Sequence, residues 1–385
     1  MDRLINFLVK FFVFLSRFAP IFSKLGFVDY RDIGDLEKEP KLHILLVGYN
    51  GARNTGADAR VAEIVKQLQQ RLGKEKAQIS VMTLDEENIR CYFDSGIKLV
   101  PFSSIFFADV FRACCANHAV ILCEGSTLKS KFANALTLYF CEAAGIMKNQ
   151  HKPCIAYGSE AGEMDAFLER TVKRLCSDTY FVARTQNSLE QIHRLGLNGH
   201  LGTDAAWKFD SSSHTRWAGT ELRQSGWNGT APLLGIAPIN PFWWPVRPSL
   251  IKWVKAKLNG DHSLQFQLWY FFSWSKQQEL QFEHYLDAIA HSVNEFAAKH
   301  PCHVVILGME RLDNIMQEMD LNQYQLLHAD DTELVSELTS ALEYTLAHQE
   351  QIKDKIGRQL VSYQHTLDEM GDFLISWLLS HESST

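Results

Sequence analysis

From Leu42 onward the chain switches repeatedly between two hydrophobic periods. LHILLV at 42–47 is an unbroken apolar run, the pattern of a strand buried on both faces of a parallel sheet. A glycine-rich loop comes next. Then Val61, Ile64, Val65, Leu68 and Leu72 recur at helical spacing, which predicts a helix over 58–72 with one apolar face. Further apolar runs lie at ISVMT (79–83), AVILC (119–123), CIAY (154–157) and YFVA (180–183), with helices predicted between most of them, for example over 131–148 and 164–176. Such alternation needs right-handed crossovers and predicts a doubly wound sheet in a Rossmann-like lobe over 40–215.

A second α/β unit is expected over 216–385. Its strands are LLGIAP (233–238), CHVVIL (302–307) and the weaker YQLL (324–327), with a long helix over 275–299 and two helical stretches at the end. Three strands against five or six in the first lobe make a thin sheet, so the second lobe reads as incomplete. The aromatic loop INPFWWPVRPS comes directly after its first strand.

The first 26 residues, MDRLINFLVKFFVFLSRFAPIFSKLG, are rich in Phe and Leu, but Lys10, Arg17 and Lys24 interrupt them every seven residues. A membrane span wants roughly 20 apolar residues with few charges, and the cations are read as breaking one. A signal peptide would keep an unbroken apolar centre before a small-residue cleavage site, and neither is present. Two readings stay open. An amphipathic helix could lie in a membrane surface, or the segment could pack on its own domain or a partner subunit.

At 385 residues the chain is long enough for two cores. Its net charge of −7 argues against a nucleic-acid binder, which would carry a basic face. The eight cysteines form no C-x-x-C pair and several sit in apolar runs, so reduced, buried thiols in a cytoplasmic protein are expected. No zinc site is expected, since no ligand spacing supports one.

Ligands of open parallel sheets bind at the carboxyl ends of the strands, and four features fall there. GYNGARNTGAD (48–58) has three glycines for a close backbone approach, and the N-terminus of the next helix can receive an anion. The spacing matches neither a dinucleotide fingerprint nor a P-loop. The bland reading is a turn with Asp58 as helix cap. In CEGSTLKSKF (123–132), Glu124 could accept from a sugar hydroxyl and Lys129 and Lys131 could meet an anion; alternatively Ser126 caps a helix and the lysines are solvated. YGSEAGEMD (157–165) carries three acids, which are candidate bases or a water-facing loop. In FVARTQNS (181–188), Arg184 at a strand end suits bidentate binding of carboxylate or phosphate, or a surface ion pair.

Taken in order, the 42–58 strand and loop, KPCIAYGSEAG (152–162), ARTQNSL (183–189), GTDAAW (202–207) and GWNGTAPLLGIAPINPFWWP (226–245) resemble the polysaccharide pyruvyl transferases. The resemblance implies two Rossmann-like lobes similar to the glycosyltransferase-B architecture. It implies transfer of an enolpyruvyl unit from phosphoenolpyruvate to a sugar of a cell-surface polysaccharide or its lipid-linked precursor, at the inner face of the cytoplasmic membrane. It places Asn54, Gly56 and Asp58 at the cleft, Glu124 and Ser126 beside them, Arg184 on the donor and Arg247 as a further anion contact; no cofactor is expected. Trp243 and Trp244 are candidates to stack on a sugar. The family's late Arg-x-His-Ala motif, whose His looks like the general acid, has no counterpart here, so no catalytic residue is assigned. The chain reads as shortened near 311, between two similar short sequences. Two alternatives therefore accompany the enzyme: a non-catalytic remnant that binds an anion or glycan, and a nucleotide-sugar glycosyltransferase.

Overall fold

The computed structural model describes residues 2–37, 41–103, 105–130, 133–210, 212, 215–238, 246–260, 265–267, 270–306 and 334–382. Two compact units emerge. Unit 1 comprises 1–209, 246–271 and 363–385, and unit 2 comprises 210–245 and 272–362.

Unit 1 is built on seven parallel strands: β1 (Leu42–Val47), β2 (Ala77–Thr83), β3 (Lys98–Pro101), β4 (Ala119–Leu122), β5 (Cys154–Ser159), β6 (Tyr180–Ala183) and β7 (Asn198–Leu201). Their order is β3-β2-β1-β4-β5-β6-β7, so the winding reverses between β1 and β4. The fold is α/β, a doubly wound Rossmann-like lobe. Side chains of a strand alternate between faces, and the core divides accordingly. Leu45, Val47, Val120 and Leu122 face one apolar cluster. Ile44, Leu46, Ala119 and Ile121 face the other.

The first cluster is closed by α1 (Asp2–Leu15), α5 (Phe107–Cys115), α6 (Asn134–Asn149), α7 (Ala166–Leu175) and α8 (Gln186–Arg194), the short helices α2 (Ala19–Lys24) and α4 (Glu86–Ile89) lying earlier in the chain. The second is closed by α3 (Thr55–Leu72) and by Leu367, Met370, Leu374 and Leu378 of the last helix. Residues 363–385, which the sequence pattern assigned to the second lobe, thus belong to the first, because their helically spaced apolar residues find the open face of its sheet. Arg71 reinforces this docking by donating to Asp372 at 2.8 Å and to Asp368 at 3.3 Å. Unit 1 also holds a small antiparallel sheet of β9 (Arg247–Pro248), β10 (Gln265–Gln267) and β11 (Tyr270–Phe271), and the helix α10 (Leu250–Asn259).

In unit 2 the described elements are β8 (Leu233–Ile236) paired in parallel with β12 (His303–Ile306), and the helices α9 (Thr215–Gln224), α11 (Lys276–Lys299) and α12 (Leu334–Ala347), with the start of α13 (Gln349–Glu382). The strand and helix expected at 233–238 and 275–299 are present. The YQLL strand and the shortened region near 311 lie outside the described residues. Leu233 and Ile306 remain exposed, at 46% and 74%, so these two strands do not share the complete burial of β4 or the near-complete burial of β1.

The N-terminal segment packs on its own domain. Ile5, Val9 and Val13 of α1 are buried against α5 and α6. Gly145 of α6 allows the approach, since a Cβ there would sit 3.0 Å from a Val13 methyl. By length and composition Asp2–Lys24 is nevertheless long and apolar enough to cross a membrane, which corrects the reading that its cations exclude this.

Burial is not uniformly apolar. Glu142 of α6 is fully buried and neither carboxyl oxygen has a hydrogen-bond partner. Desolvation, and then the charge of Asp109, push its pKa well above the ordinary carboxylate range, so it folds as a neutral acid. An unfolded Glu ionises near pH ~4.3, so folding becomes costlier as pH rises above that value and below it carries no such penalty. Glu142→Met is expected to raise stability at neutral pH by about 2 kcal/mol in urea denaturation, with the gain shrinking in acid.

Candidate functional site

The site is assembled from loops at the carboxyl edge of the unit 1 sheet, around the β1/β4 reversal. After β1 the chain turns through Gly51, whose φ of +74° lies in the left-handed region. A Cβ there would collide with Thr83 Oγ1 at 2.2 Å and the Asp85 carbonyl at 2.5 Å, so only glycine fits. The buried Asn50 fastens the turn by donating to the Met82 carbonyl at 3.0 Å. Asn54 caps α3, accepting from Ala57 N–H at 3.3 Å. Asp58, read from sequence as the cap, sits instead in the first turn and accepts from Gly51 N–H at 2.8 Å. Burial raises its pKa, with the Glu124 carboxylate adding to the effect and the Gly51 hydrogen bond opposing it. Gly56 is exposed on the same turn, and a Cβ there would meet Asn54 Oδ1 only at 3.4 Å; no strain requires glycine at that position.

Behind this loop lies a buried chain of alternating charges. Arg60, further along the same helix, grips Asp204 with two hydrogen bonds, Nε to Oδ1 at 3.0 Å and Nη2 to Oδ2 at 2.6 Å. It also reaches Glu124 Oε1 at 3.5 Å. Arg184, emerging from β6, donates to Asp204 Oδ2 at 2.9 Å and pairs closely with Glu160 after β5. Lys129 closes the row on the other oxygen of Glu160. The polypeptide segments around 125–130 and 160–163 hold each other by backbone hydrogen bonds, among them Leu128 N–H to Glu160 O at 3.1 Å and Gly162 N–H to Leu128 O at 2.9 Å. Gly125 is where the guanidiniums converge: a Cβ would lie 2.6 Å from Arg184 Nη1 and 2.9 Å from Arg60 Nη2.

Three cations face three carboxylates. Burial alone would raise the pKa of Asp204, but Arg60 and then Arg184 outweigh it and hold this carboxyl far below the usual range. Arg60 is correspondingly held charged. Glu124 is the loosest member. Its remaining partners are the N–H groups of Tyr49 and Ser126, both at 3.4 Å, and a ligand hydroxyl could compete for it. Arg184 Nε has no hydrogen-bond partner.

The structure therefore brings Asn54, Gly56, Asp58, Glu124, Ser126 and Arg184 to one edge of one sheet. Ser126 starts no helix: α6 begins at Asn134, and Lys129 is buried and paired, not solvated. Arg184 is occupied within the protein by Glu160 and Asp204. Arg247 is exposed on β9, and the charge network does not include it. Trp243, Trp244 and Lys131 lie outside the described residues. Arg60 and Asp204 were missed as site residues, and so was Glu160 as an individual. The available signals were the proximity of Arg60 to Asp58 on one helix and the position of Asp204 just beyond a strand. Among the described residues no group of three His, Cys, Asp or Glu is arranged to hold a metal ion.

Neither the family models nor the curated protein sequences give a match. Among solved structures, the chain is similar to a UDP-GlcNAc 2-epimerase from Neisseria meningitidis bound to UDP-GlcNAc, at 9% identity and a TM-score of 0.44, covering 85% of this chain and 100% of that one.

Removing Asp204 would leave two buried guanidiniums facing each other. Asp204→Asn is expected to cost about 3–5 kcal/mol at neutral pH, measured by chemical denaturation. Because the folded pKa of Asp204 is depressed, its contribution is complete above pH ~4 and is lost as pH falls toward the folded value. The gap between wild type and variant should therefore narrow only in strong acid.

Proposed function

We propose that the chain is a sugar-acting transferase of the polysaccharide pyruvyl transferase type, using phosphoenolpyruvate as donor and a glycan as acceptor. The observation that supports this reading most is convergence. Three of the motifs that carry the resemblance, around Asn54, Glu160 and Arg184, meet at one strand-end edge beside the winding reversal, where open α/β sheets take their ligands. In this reading the donor carboxylate or phosphate displaces one carboxylate partner of Arg184, whose buried Nε has no hydrogen-bond partner, and Glu124 accepts from an acceptor hydroxyl.

The chemistry balances without a cofactor. One sugar hydroxyl adds to the enol carbon while the methylene carbon takes a proton. A second hydroxyl then displaces phosphate, which carries away the remaining proton, and the product is the pyruvate ketal. No group among the described residues is assigned as the proton donor.

The exposed Leu233 and Ile306 on the two described strands of unit 2 favour a second reading, a remnant that retains donor binding without transfer. One experiment separates the two. The purified chain is titrated with phosphoenolpyruvate while its melting temperature is followed, and phosphate release is then assayed with glycans bearing vicinal or 1,3-diols. Stabilisation with release supports the enzyme, stabilisation without release the remnant, and the absence of both rules out a pyruvyl donor site. Arg184→Ala is expected to abolish the stabilisation, whereas Glu124→Gln should leave it in place and abolish phosphate release. Circular dichroism of the Arg184 variant should show the fold retained, because Glu160 keeps Lys129 and Asp204 keeps Arg60.

A further inference from the structure

The N-terminal helices bury one stripe and leave another bare. At 3.6 residues per turn, Ile5, Val9 and Val13 point into unit 1, while Leu4, Phe7, Phe11, Phe14 and Phe18 line the opposite face. The bare face continues through Ile21, Leu25 and Phe27. Phe7 is 64% and Phe27 75% exposed. Aromatic side chains of this size are rarely left in water as a contiguous row, and such a row marks an interaction surface. Arg3, Lys10 and Arg17 fall seven residues apart, along one border between the bare stripe and the buried one, and Lys24 extends the series into α2. Among the described residues none of the four is paired with a carboxylate.

We infer that this face docks the protein on an anionic phospholipid surface, with the phenylalanines inserted among the acyl chains and the four cations at headgroup level. The charge arrangement selects this occupant. A cationic border along an apolar stripe matches the depth profile of an anionic leaflet, whereas a second copy of the chain would bring the same positive row against itself. The helix does not span the bilayer. Beyond its apolar contacts, α1 is held to unit 1 by polar ones: Asn134 donates to Asp2 at 3.1 Å, Thr171 to Asn6 at 3.3 Å, and Asn149 to the Val13 carbonyl at 2.6 Å. Crossing would break all three and empty the pocket that Val9 and Val13 fill.

The test uses the full chain in co-sedimentation with vesicles of phosphatidylcholine, alone or mixed with phosphatidylglycerol. Binding is expected only to the mixed vesicles and should fall with added salt. Replacing Phe7, Phe11 and Phe14 together by Ser should weaken it at least tenfold while the protein stays folded by circular dichroism, since none of the three is buried in the core. Lys10→Gln with Arg17→Gln should weaken it by about 25-fold, fivefold for each charge removed. Equal binding to neutral vesicles, or none to either, overturns the inference. So does retention in the membrane after alkaline carbonate washing, which would mark a spanning helix. A dimer in light scattering that the triple Phe variant dissolves, with no lipid binding, would assign the face to a second copy instead.

Discussion

Asp204 lies between two guanidinium groups in a setting that excludes most water, and the carboxyl edge of the sheet is organised around it. Burying a carboxylate and two arginines is costly unless each is paired, so the helix carrying Arg60, the loop carrying Asp204 and the strand end carrying Arg184 must meet in one geometry. Glycine at 125 is a consequence of that requirement, because any side chain there would occupy the guanidinium positions. Glu160 and Lys129 continue the row and tie in the loops after β4 and β5. The alternation of charge leaves the network close to neutral. In the proposed reading a charged donor enters by exchange with a resident carboxylate, Glu160 or Asp204.

The frame that presents this edge is covered unevenly. One face of the sheet is closed by helices that belong to its own crossovers, with α1 packed outside them; the other needs α3 and the far end of the chain. Leu367, Met370, Leu374 and Leu378 close that face, so the first unit is complete only once the final helix has been made. The N-terminal helix has a double allegiance, with one stripe committed to the core and the other facing outward.

The central strands were legible because burial on both faces demands unbroken apolar runs; β1, β2, β4, β5 and β6 all announce themselves this way. The edge strands β3 and β7 did not. KLVP and NGHL are short and only partly buried, so water tolerates their polar residues and no pattern is imposed. The same reason hid the extent of the first unit. A helix whose apolar face is written in its sequence does not say which sheet it covers.

What the sequence alone determined is the local grammar: the runs that must be strands, the glycine-rich loop that must turn, and the strand ends where a ligand would be sought. Which charges pair was decided only by the tertiary structure. Arg60 and Asp204 stand 144 positions apart, and nothing in either neighbourhood specifies the partner. Likewise the sequence offers Lys129 and Arg184 an anion without naming their partner, Glu160, until the loops from four strands are drawn to one edge. Electrostatic pairing in a buried site depends on distance in space, and only the winding of the sheet sets that distance.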